Sequence, residues 1–400
     1  MTIIFVISVC FLYLAFKKPG WALAVLLFLL PAYQVRFTLL GLPTTLLEVL
    51  ILAFLVGLLA QQPDFRPLRK LGRLNWIIGL FLLAASVAAY LSPEKLKALG
   101  ELKAFFIEPV LVFYALVLLW EEKSNIRLAL QGLFVSSGLI SLFGVVQYFT
   151  LSGLPIRFWG TGIEPERITS VFDYPNALAL FLAPLFGLFA ILIYKKYRLF
   201  EREWLEILGL LLMAAALILT FSRGAWLAVA ITLTLFLIKN HSGRAVLTIV
   251  TLVLLGSLGV GVAPIRQRLV SAVSDASSDA RLELMRLGIQ KIQDEPFLGN
   301  GLHGFRTTLS AADFQGEILN YPHNIFLNFW LETGLLGLLA FGLIIGAVGE
   351  RQKKHPTVWG LAAAAFLLIV ILHGLVDVPY FKNDLAVLFW FAISLFYLDN

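Results

Sequence analysis

The sequence predicts an all-α membrane protein, a polytopic helix bundle of about 12–13 spans in a single integral domain over residues 1–400. Of the 400 residues, 60% are hydrophobic and only 14% are charged, whereas a soluble domain carries about 25% charged residues. Long apolar runs also recur along the whole chain. A soluble core could not bury this much apolar surface, so we expect a lipid bilayer to surround the protein.

The apolar runs fit membrane-spanning helices, which need about 20 residues within a range of about 17–25. Several runs are short, and the first two could form one helical hairpin that does not fully cross. We expect spans at residues 2–16, 21–35, 44–60, 74–91, 104–119, 126–150, 176–194, 205–221, 224–238, 245–263, 324–348, 357–377 and 385–399.

The distribution of basic residues predicts the orientation. Loops on alternate sides of the predicted spans differ in their lysine and arginine content, and the richer set includes 66–73, 195–202 and 351–354. Short cytosolic loops carry an excess of these residues, so the long loop 264–322 is expected outside. The same rule explains the net charge of +6 without a nucleic-acid partner. We therefore expect a multi-pass plasma (inner) membrane protein whose active site faces the periplasm or the outside.

Two features of the N-terminal region exclude other classes of protein. Cys10 is the single cysteine, which excludes a disulfide framework and a cysteine-based metal site. The first apolar run is followed by Lys17 and Lys18 instead of preceded by them, and it lacks a small-residue cleavage site. We therefore expect no cleavable signal peptide.

The outer loop 264–322 is expected to contain an amphipathic helix, which a residue within 277–279 could cap and Pro296 would follow. A glycine-rich segment comes next, at 299–304. A dinucleotide fingerprint would need a preceding β-strand, so we interpret this segment as a turn, with phosphate binding by its amides as the alternative. The apolar residues that recur at helical spacing are Leu282, Met285, Ile289 and Ile292.

Arg223 lies between Ser222 and Gly224, in a break between two apolar runs that is too short for an ordinary loop. A cation at the membrane boundary is costly unless it has a partner. At the headgroup level an anionic partner would be a phosphate, whose geometry suits a guanidinium group. The alternative is that Arg223 only reaches toward the interface along its apolar stem.

Pro322, His323 and Asn324 open a long apolar run, and Pro322 suits the first turn of a helix. Asn324, Asn328 and Glu332 form a polar stripe on one helix face, which would contact protein or a water-filled cavity. The N-terminus of this helix favours an anion. A neutral His323 imidazole could accept a proton from a sugar hydroxyl, or the side chain could form only a structural hydrogen bond.

Other polar residues near the predicted outer face have weaker patterns. Arg167 and Asn176 could line a site or be solvated, and pairing within the bundle is the preferred role for His373 and Asp377. The outer acidic residues are scattered, so we expect no metal site. The arginines would then supply the charge stabilisation themselves.

These motifs together resemble the O-antigen ligase and polymerase family of bacterial membrane glycosyltransferases. In that family a His, then Asn, Ser or Gln, precedes a Gly-x-x-Gly element by nine residues, and His323-Asn324 precedes Gly334 and Gly337 at that spacing. Glu332 stands where the family often has Glu. The similarity is strongest from about residue 167 onward. It includes Ser222-Arg223-Gly224, the loop helix from Arg281 to Pro296, the glycine turn that follows it, and Arg167, Asn176 and Asp377.

The resemblance implies a GT-C-like membrane glycosyltransferase architecture, an undecaprenyl-diphosphate-linked glycan as donor, and neither metal nor cofactor. It implies that Arg223 and Arg281 hold the diphosphate and that His323 activates or positions the acceptor hydroxyl. Direct displacement would invert the anomeric carbon. The residues expected to bind substrate are Arg286, Asn324, Glu332, Arg167, His303 and Asn176.

The acceptor is left open by the resemblance. A lipid A core would make the protein a ligase, a second lipid-linked repeat a polysaccharide polymerase, and a protein an O-oligosaccharyltransferase; we favour the ligase. A lipid-linked glycan transporter is the alternative of another class. It should show internal repeats and a polar path to the cytosolic side, whereas here the polar residues gather near the predicted outer face and no convincing repeat is visible.

Overall fold

The computed structural model describes residues 2–39, 42–160, 166–239, 276–311 and 321–398. Over these residues the chain is helical apart from one short β-hairpin, which confirms the all-α polytopic class. The chain divides into two compact units. Unit 1 comprises Met1–Ser136, Glu283–Leu361 and Tyr380–Asn400, and unit 2 comprises Ser137–Leu282 and Ala362–Pro379.

The secondary structure elements are numbered in chain order. The first half of the chain contains α1 (Thr2–Lys17), α2 (Pro19–Phe28), β1 (Arg36–Leu39), β2 (Leu42–Thr45), α3 (Leu46–Leu59), α4 (Arg73–Leu91), α5 (Lys95–Glu101), a π-helical segment (Leu102–Ile107), α6 (Glu108–Leu119), α7 (Lys123–Thr150) and α8 (Pro175–Tyr194). The second half contains α9 (Glu203–Leu219), α10 (Arg223–Lys239), α11 (Ala276–Asp294), α12 (Gly304–Ala311), α13 (Ile325–Lys354), α14 (Val358–His373) and α15 (Asn383–Leu395).

Among the described residues, five helical segments are long and apolar enough to cross a membrane. Shorter apolar helices accompany them, and α2 is one of these: its 10 residues would cover only about 15 Å at 1.5 Å per residue, half of a hydrocarbon core. The span predicted at 245–263 lies outside the described residues, so the number of spans stays a prediction. The five long segments are Arg73–Leu91, Lys95–Leu119, Lys123–Thr150, Pro175–Tyr194 and Ile325–Lys354.

Aromatic packing joins the helices of unit 1. The ring centroids of Phe81 in α4 and Phe329 in α13 are 6.0 Å apart, and Trp390 in α15 lies 6.0 Å from Phe81. Tyr380 is 5.1 Å from Phe329. These separations lie in the range of favourable aromatic pairs, so the cluster fixes α4, α13 and α15 against one another.

A proline explains why the segment before α6 widens into a π-helix. Pro109 has no backbone N–H, so the carbonyl oxygen of Phe105, four residues earlier, lacks its helical donor. The Tyr380 hydroxyl donates to this oxygen at 2.7 Å. The Tyr380 hydroxyl thus takes the place of the missing backbone donor, and this hydrogen bond holds the segment before α15 against the helix.

The hairpin β1–β2 was not predicted from the sequence, which was read as helices and loops only. Its strands are antiparallel, with Arg36 opposite Thr45. Thr45 also ends the hairpin by capping α3, because its hydroxyl accepts from the amide of Glu48 at 3.2 Å while Glu48 Oε2 accepts from the amide of Thr45 at 3.0 Å. This reciprocal capping sets the start of α3.

In unit 2, α8 packs against both α9 and α10, and a buried glutamine anchors the loop that leads into α8. The Gln147 side chain, which is fully buried in α7, accepts from the amides of Thr169 and Ser170 at 2.9 and 2.8 Å. The Ser170 hydroxyl donates to the carbonyl oxygen of Ile140 at 2.7 Å. Residues 166–174 are therefore held by hydrogen bonds to the neighbouring helix α7 and not by a regular element of their own.

The predicted amphipathic helix corresponds to α11, but two details of the prediction were wrong. The described part of this helix starts at Ala276, so residues 277–279 lie within the helix and do not cap it. Its buried face carries Leu284 and Ile292, whereas Leu282 and Ile289 are exposed. Apolar residues occur on more than one side of this helix, so their spacing alone did not identify the buried face.

Candidate functional site

A polar pocket lies within unit 2. Its volume is about 70 Å³, several times the about 10–15 Å³ that one water molecule requires. Its charged and polar side chains come from the loop before α8, from the first turn of α8, from the break before α10 and its first turn, from α11, and from the end of α14 and the residues after it. They are Arg167, Asn176, Ser222, Arg223, Arg281, His373 and Asp377.

Arg223 reaches the pocket because the chain turns sharply between α9 and α10. Leu219 is the last residue of α9, and Phe221 adopts a left-handed φ of 51° before α10 begins at Arg223. The Thr220 hydroxyl donates to the end of α9 at 2.7 Å and accepts from the amide of Ser222 at 3.2 Å. These bonds close the break and place Arg223 in the first turn of α10.

Arg167 and Asn176 are held together on another side of the pocket. Nε of Arg167 donates to the carbonyl oxygen of Thr220 at 3.0 Å, and its Nη2 donates to Oδ1 of Asn176 at 3.0 Å. The first of these bonds ties the loop before α8 to the break that carries Arg223. Arg167 therefore has two roles: its hydrogen bond to Thr220 stabilises the break, and its guanidinium group contributes positive charge to the pocket.

His373, the last residue of α14, is only 1% exposed and packs against the first turn of α10. A Cβ atom on Gly224 would lie 3.1 Å from Cδ2 and 3.4 Å from Nε2 of His373, and 2.6 Å from Cγ2 of Val376. Such distances leave no room for a side chain at 224. Within the described part of the chain, Nδ1 of His373 has no hydrogen-bond partner.

The electrostatics of the pocket favour an anion. Among the described residues that line it, three arginines meet one carboxylate, that of Asp377. Asn176 and Arg223 lie in the first turns of α8 and α10, where unpaired helix amides add positive potential. An anion with several oxygens, such as a phosphate or diphosphate, matches these donors because guanidinium groups bind such oxygens in pairs.

His323 lies in unit 1, immediately before α13, with a φ of 50° and a half-buried side chain. Asn324 is the N-cap of α13, since its Oδ1 accepts from the amides of Phe326 and Leu327, both at 3.0 Å. The helix therefore begins at Ile325, and placing Pro322 in its first turn was wrong. The cap fixes the backbone next to His323.

The polar stripe of α13 faces the interior of unit 1. Asn328 is fully buried, and Glu332 is 2% exposed. Neither amide atom of the Asn328 side chain has a hydrogen-bond partner among the residues that the structure describes. The stripe is thus a buried feature, as expected for polar groups in a membrane helix.

Glu332 contacts the glycine turn at 299–304. Its Oε2 accepts from the backbone amide of His303. The His303 ring is oriented in turn by Glu101, because Nδ1 of His303 lies 2.6 Å from Oε1 of Glu101. His303 and Glu332, both expected to bind substrate, therefore lie close together. The hydrogen bond from the His303 amide to Glu332 also holds this turn in place.

Gly334 marks a break in α13 that the glycine turn fills. Its φ of 68° and ψ of −179° belong to a region that only glycine occupies readily. The amide of Leu335 donates to the carbonyl oxygen of Phe297 at 3.0 Å, and the carbonyl oxygen of Leu331 accepts from the amide of Asn300 at 2.6 Å. The turn thus pairs backbone groups that the break would leave free.

The predicted site residues divide between the two units. Arg167, Asn176, Arg223 and Arg281 line the pocket of unit 2. Arg286 does not line it: this side chain is exposed and lies 3.6 Å from Glu283. His303, His323, Asn324 and Glu332 belong to unit 1, so the approach of His323 to the arginines stays a prediction.

Sequence reasoning gave too little weight to three residues. His373 and Asp377 were expected mainly to pair within the bundle, and Glu101 was not singled out. The spacing of His373 and Asp377, four residues apart at the outer end of a predicted span, is the sequence feature that could have indicated their place in the site.

In the described part of the chain, no group of three or more His, Cys, Asp or Glu residues could hold a metal ion, and metal independence stays a prediction.

Comparison with protein families gives one match in this region. Residues 208–342 match the family described as O-Antigen ligase, roughly a third of the chain. The matched segment includes α10, α11, α12 and the first part of α13. Arg223, Arg281, His303, His323 and Glu332 all lie within it.

Similarity to individual proteins extends further along the chain. An O-antigen ligase of Pseudomonas aeruginosa is 24% identical over 298 residues, which are 72% of this chain and 68% of that protein. An O-antigen ligase of Salmonella typhimurium is 24% identical over 327 residues, 76% of each chain. An uncharacterized protein of Haemophilus influenzae is 24% identical over 189 residues, 42% of this chain, and the match spans about half (47%) of that relative's length.

Proposed function

We propose that the chain transfers a glycan from an undecaprenyl-diphosphate-linked donor to an acceptor at the outer face of the plasma membrane, a function that its similarity to the O-antigen ligase family supports. The observation that carries this proposal is the pocket of unit 2, where Arg167, Arg223 and Arg281 surround a space large enough for a phosphate group. A diphosphate supplies the charge and the oxygens that these side chains require.

The arginines would act mainly on the leaving group. As the bond between the anomeric carbon and the phosphate oxygen breaks, its electron pair stays on the diphosphate, where negative charge increases. Fixed donors aimed at developing charge stabilise a transition state more than a ground state. Three guanidinium groups could supply this stabilisation without a metal ion, so we propose metal-independent transfer that needs no cofactor.

The acceptor hydroxyl would attack the anomeric carbon from the opposite side, which inverts its configuration. We propose that His323 accepts the hydroxyl proton as the new carbon–oxygen bond forms. Its place before the capped start of α13 supports this role, because Asn324 fixes the adjacent backbone. Asn324, Glu332, His303 and Arg286 are proposed to help bind the sugars, since they flank His323 or lie in the same unit.

The outer-face location is supported within unit 2 itself. The pocket lies at the N-terminal ends of α8 and α10, while Lys195 and Lys196 follow the opposite end of α8 and Lys239 ends α10. Basic residues mark cytosolic ends, so the pocket end would face outward. Similarity to two proteins named O-antigen ligase favours a lipid A core as acceptor, which makes ligase the leading proposal over polymerase or protein glycosylation.

The test is glycan transfer by the purified protein in nanodiscs. The donor is an undecaprenyl-diphosphate glycan, offered in turn with lipid A core, a second donor molecule, or a protein. We expect transfer to lipid A core that persists in a chelator and is abolished in His323→Ala and Arg223→Ala. Arg223→Lys should recover little activity, because an ammonium group cannot reproduce the paired donors of a guanidinium.

A matched control distinguishes loss of the site from loss of the fold. His355 is exposed at the other end of α13, so His355→Ala should transfer at the wild-type rate. Full activity in Arg223→Ala would contradict the phosphate-binding role. Loss of activity in the chelator that a divalent ion restores would contradict metal independence, and transfer to another acceptor alone would replace the ligase proposal with that branch.

A further inference from the structure

His373 is a buried imidazole that the proposed mechanism does not use. It lies in the same pocket as Arg223 and Arg281, it is 1% exposed, and its Nδ1 has no hydrogen-bond partner among the described residues. Buried polar atoms are nearly always hydrogen-bonded. An orphaned nitrogen beside a cationic pocket therefore points to a ligand that the pocket takes up.

The packing of the ring fixes which edge remains for that ligand. The edge formed by Cδ2 and Nε2 faces the first turn of α10, at 3.1 and 3.4 Å from the position of a Cβ on Gly224. Nδ1 lies across the ring from Cδ2, away from this contact. A neutral imidazole has one N–H and one acceptor nitrogen, so a ring protonated at Nδ1 presents a single uncharged donor.

We propose that His373 binds the diphosphate of the lipid-linked donor directly, donating a hydrogen bond from Nδ1 to a phosphate oxygen. This inference rests on the proposed function, because it places that anion between Arg223 and Arg281. No proton is transferred in this contact. The N–H holds a phosphate oxygen while the electron pair of the broken glycosidic bond moves onto the diphosphate, so His373 binds the donor and the leaving group alike.

The contact would complement the arginines. Guanidinium groups reach an anion on long side chains, whereas His373 is fixed at the end of α14 by its contact with α10. A short, rigid donor selects one position of the phosphate within the pocket. Removing the His373 N–H should therefore weaken binding of the lipid-linked donor and leave kcat nearly unchanged, because the same oxygen is bound before and after bond cleavage.

Three substitutions test this role. His373→Asn places an amide N–H near the position of Nδ1, His373→Gln places one near Nε2, and His373→Phe fills the space without a donor. The probe is undecaprenyl diphosphate alone, titrated into purified protein in nanodiscs. We expect His373→Phe to weaken binding about tenfold or more, the range for hydrogen bonds to charged groups, with His373→Asn closer to wild type than His373→Gln.

Transfer kinetics give a second readout, in which His373→Phe should raise the KM for the lipid-linked donor and leave kcat nearly unchanged. His355→Phe is the control histidine, exposed and outside the pocket. If His373 has only a structural role, its substitution should lower the unfolding temperature, and His373→Asn should not bind undecaprenyl diphosphate more tightly than His373→Gln. If His373→Phe does not fold, the Asn and Gln pair alone decides the question, and equal binding by both would overturn the proposal.

Arg223→Ala separates this inference from the proposed function. If Arg223→Ala loses diphosphate binding while all three His373 variants bind like wild type, His373 is not a ligand and the pocket assignment stands. If Arg223→Ala binds the diphosphate as tightly as wild type, the pocket itself is wrongly assigned, and the inference about His373 fails with it.

Discussion

At position 224 the backbone of α10 approaches the side chains that follow α14 so closely that only glycine fits. A Cβ there would lie 2.6 Å from Cγ2 of Val376 and 3.1 Å from Cδ2 of His373. The residue next to Arg223 thus sets how near His373 can come to it. The sequence placed Gly224 next to Arg223, and the structure identifies the side chains of His373 and Val376 as the ones that occupy the space a Cβ would take.

We expect Gly224→Ala to reduce transfer at least tenfold while the protein still inserts, because overpacking costs about 1–3 kcal/mol and would displace His373. Removing the closest atom should relieve the overlap, so Gly224→Ala combined with Val376→Ala should recover part of the activity. Initial rates and thermal unfolding in detergent measure both effects.

Gly138 in α7 provides the matched control for this prediction. It lies in the same unit, and a Cβ there would meet nothing within 4 Å. Gly138→Ala should keep the wild-type rate and unfold at the same or a slightly higher temperature, since alanine favours a helix by about 1 kcal/mol. Equal rates for Gly224→Ala and Gly138→Ala would show that the close approach does not matter for activity.

At the scale of elements, α13 was predicted as one continuous membrane span over residues 324–348. The helix in fact breaks at Gly334, and the backbone of the turn at 297–300 enters the break. Hydropathy could not reveal this, because the segment around Gly334 is apolar on average and the chain is helical on both sides of the break. The break depends on hydrogen bonds to a segment more than 30 residues earlier, at 297–300.

We expect Gly334→Ala to destabilise the protein by about 3 kcal/mol or more. The backbone conformation alone costs about 1–3 kcal/mol for a residue with a Cβ, and that Cβ would lie 2.5 Å from the carbonyl oxygen of Phe297. The midpoint temperature of thermal unfolding should fall by several degrees. Amide hydrogen exchange should become faster at Asn300 and Leu335, whose N–H groups donate hydrogen bonds across the break.

Gly342 is the control within the same helix, since a Cβ there would meet nothing within 4 Å. Gly342→Ala should leave both unfolding and exchange unchanged. If Gly334→Ala unfolds at the wild-type temperature and keeps slow amide exchange at Asn300, the prediction is wrong. The hydrogen bonds between the turn and α13 would then not require glycine at position 334.

For the whole molecule, composition and charge predicted the class well because both are properties of the chain and not of its packing. The few charges and the repeated apolar runs required a bilayer, and the helices coincide with the predicted runs in the described regions. Four of the predicted site residues, Arg167, Asn176, Arg223 and Arg281, line one pocket of unit 2, and their roles stay predictions. His373 was given too little weight because its importance arises from contacts between helices distant in sequence.

Orientation is the whole-molecule property on which the function depends most, since a lipid-linked donor at the outer face cannot reach a cytosolic pocket. In unit 2, the loop after α7 carries Ser152 on the side predicted to be outer, and the loop between α8 and α9 carries Glu201 on the side predicted to be cytosolic. Both residues are exposed. Cys10 is the single cysteine and is exposed as well, so a Cys10→Ser background permits labelling at one chosen position.

We expect Ser152→Cys in that background to react with a membrane-impermeant maleimide in intact spheroplasts, and Glu201→Cys to react only after the membrane is opened. The reason is electrostatic: Lys195, Lys196 and Arg202 hold the second loop in the cytosol. The reverse pattern would place the arginine pocket on the cytosolic side. Transfer to an outer-face acceptor would then be impossible for this pocket, whatever the kinetics of its variants, because the donor diphosphate and the acceptor would lie on opposite sides of the membrane.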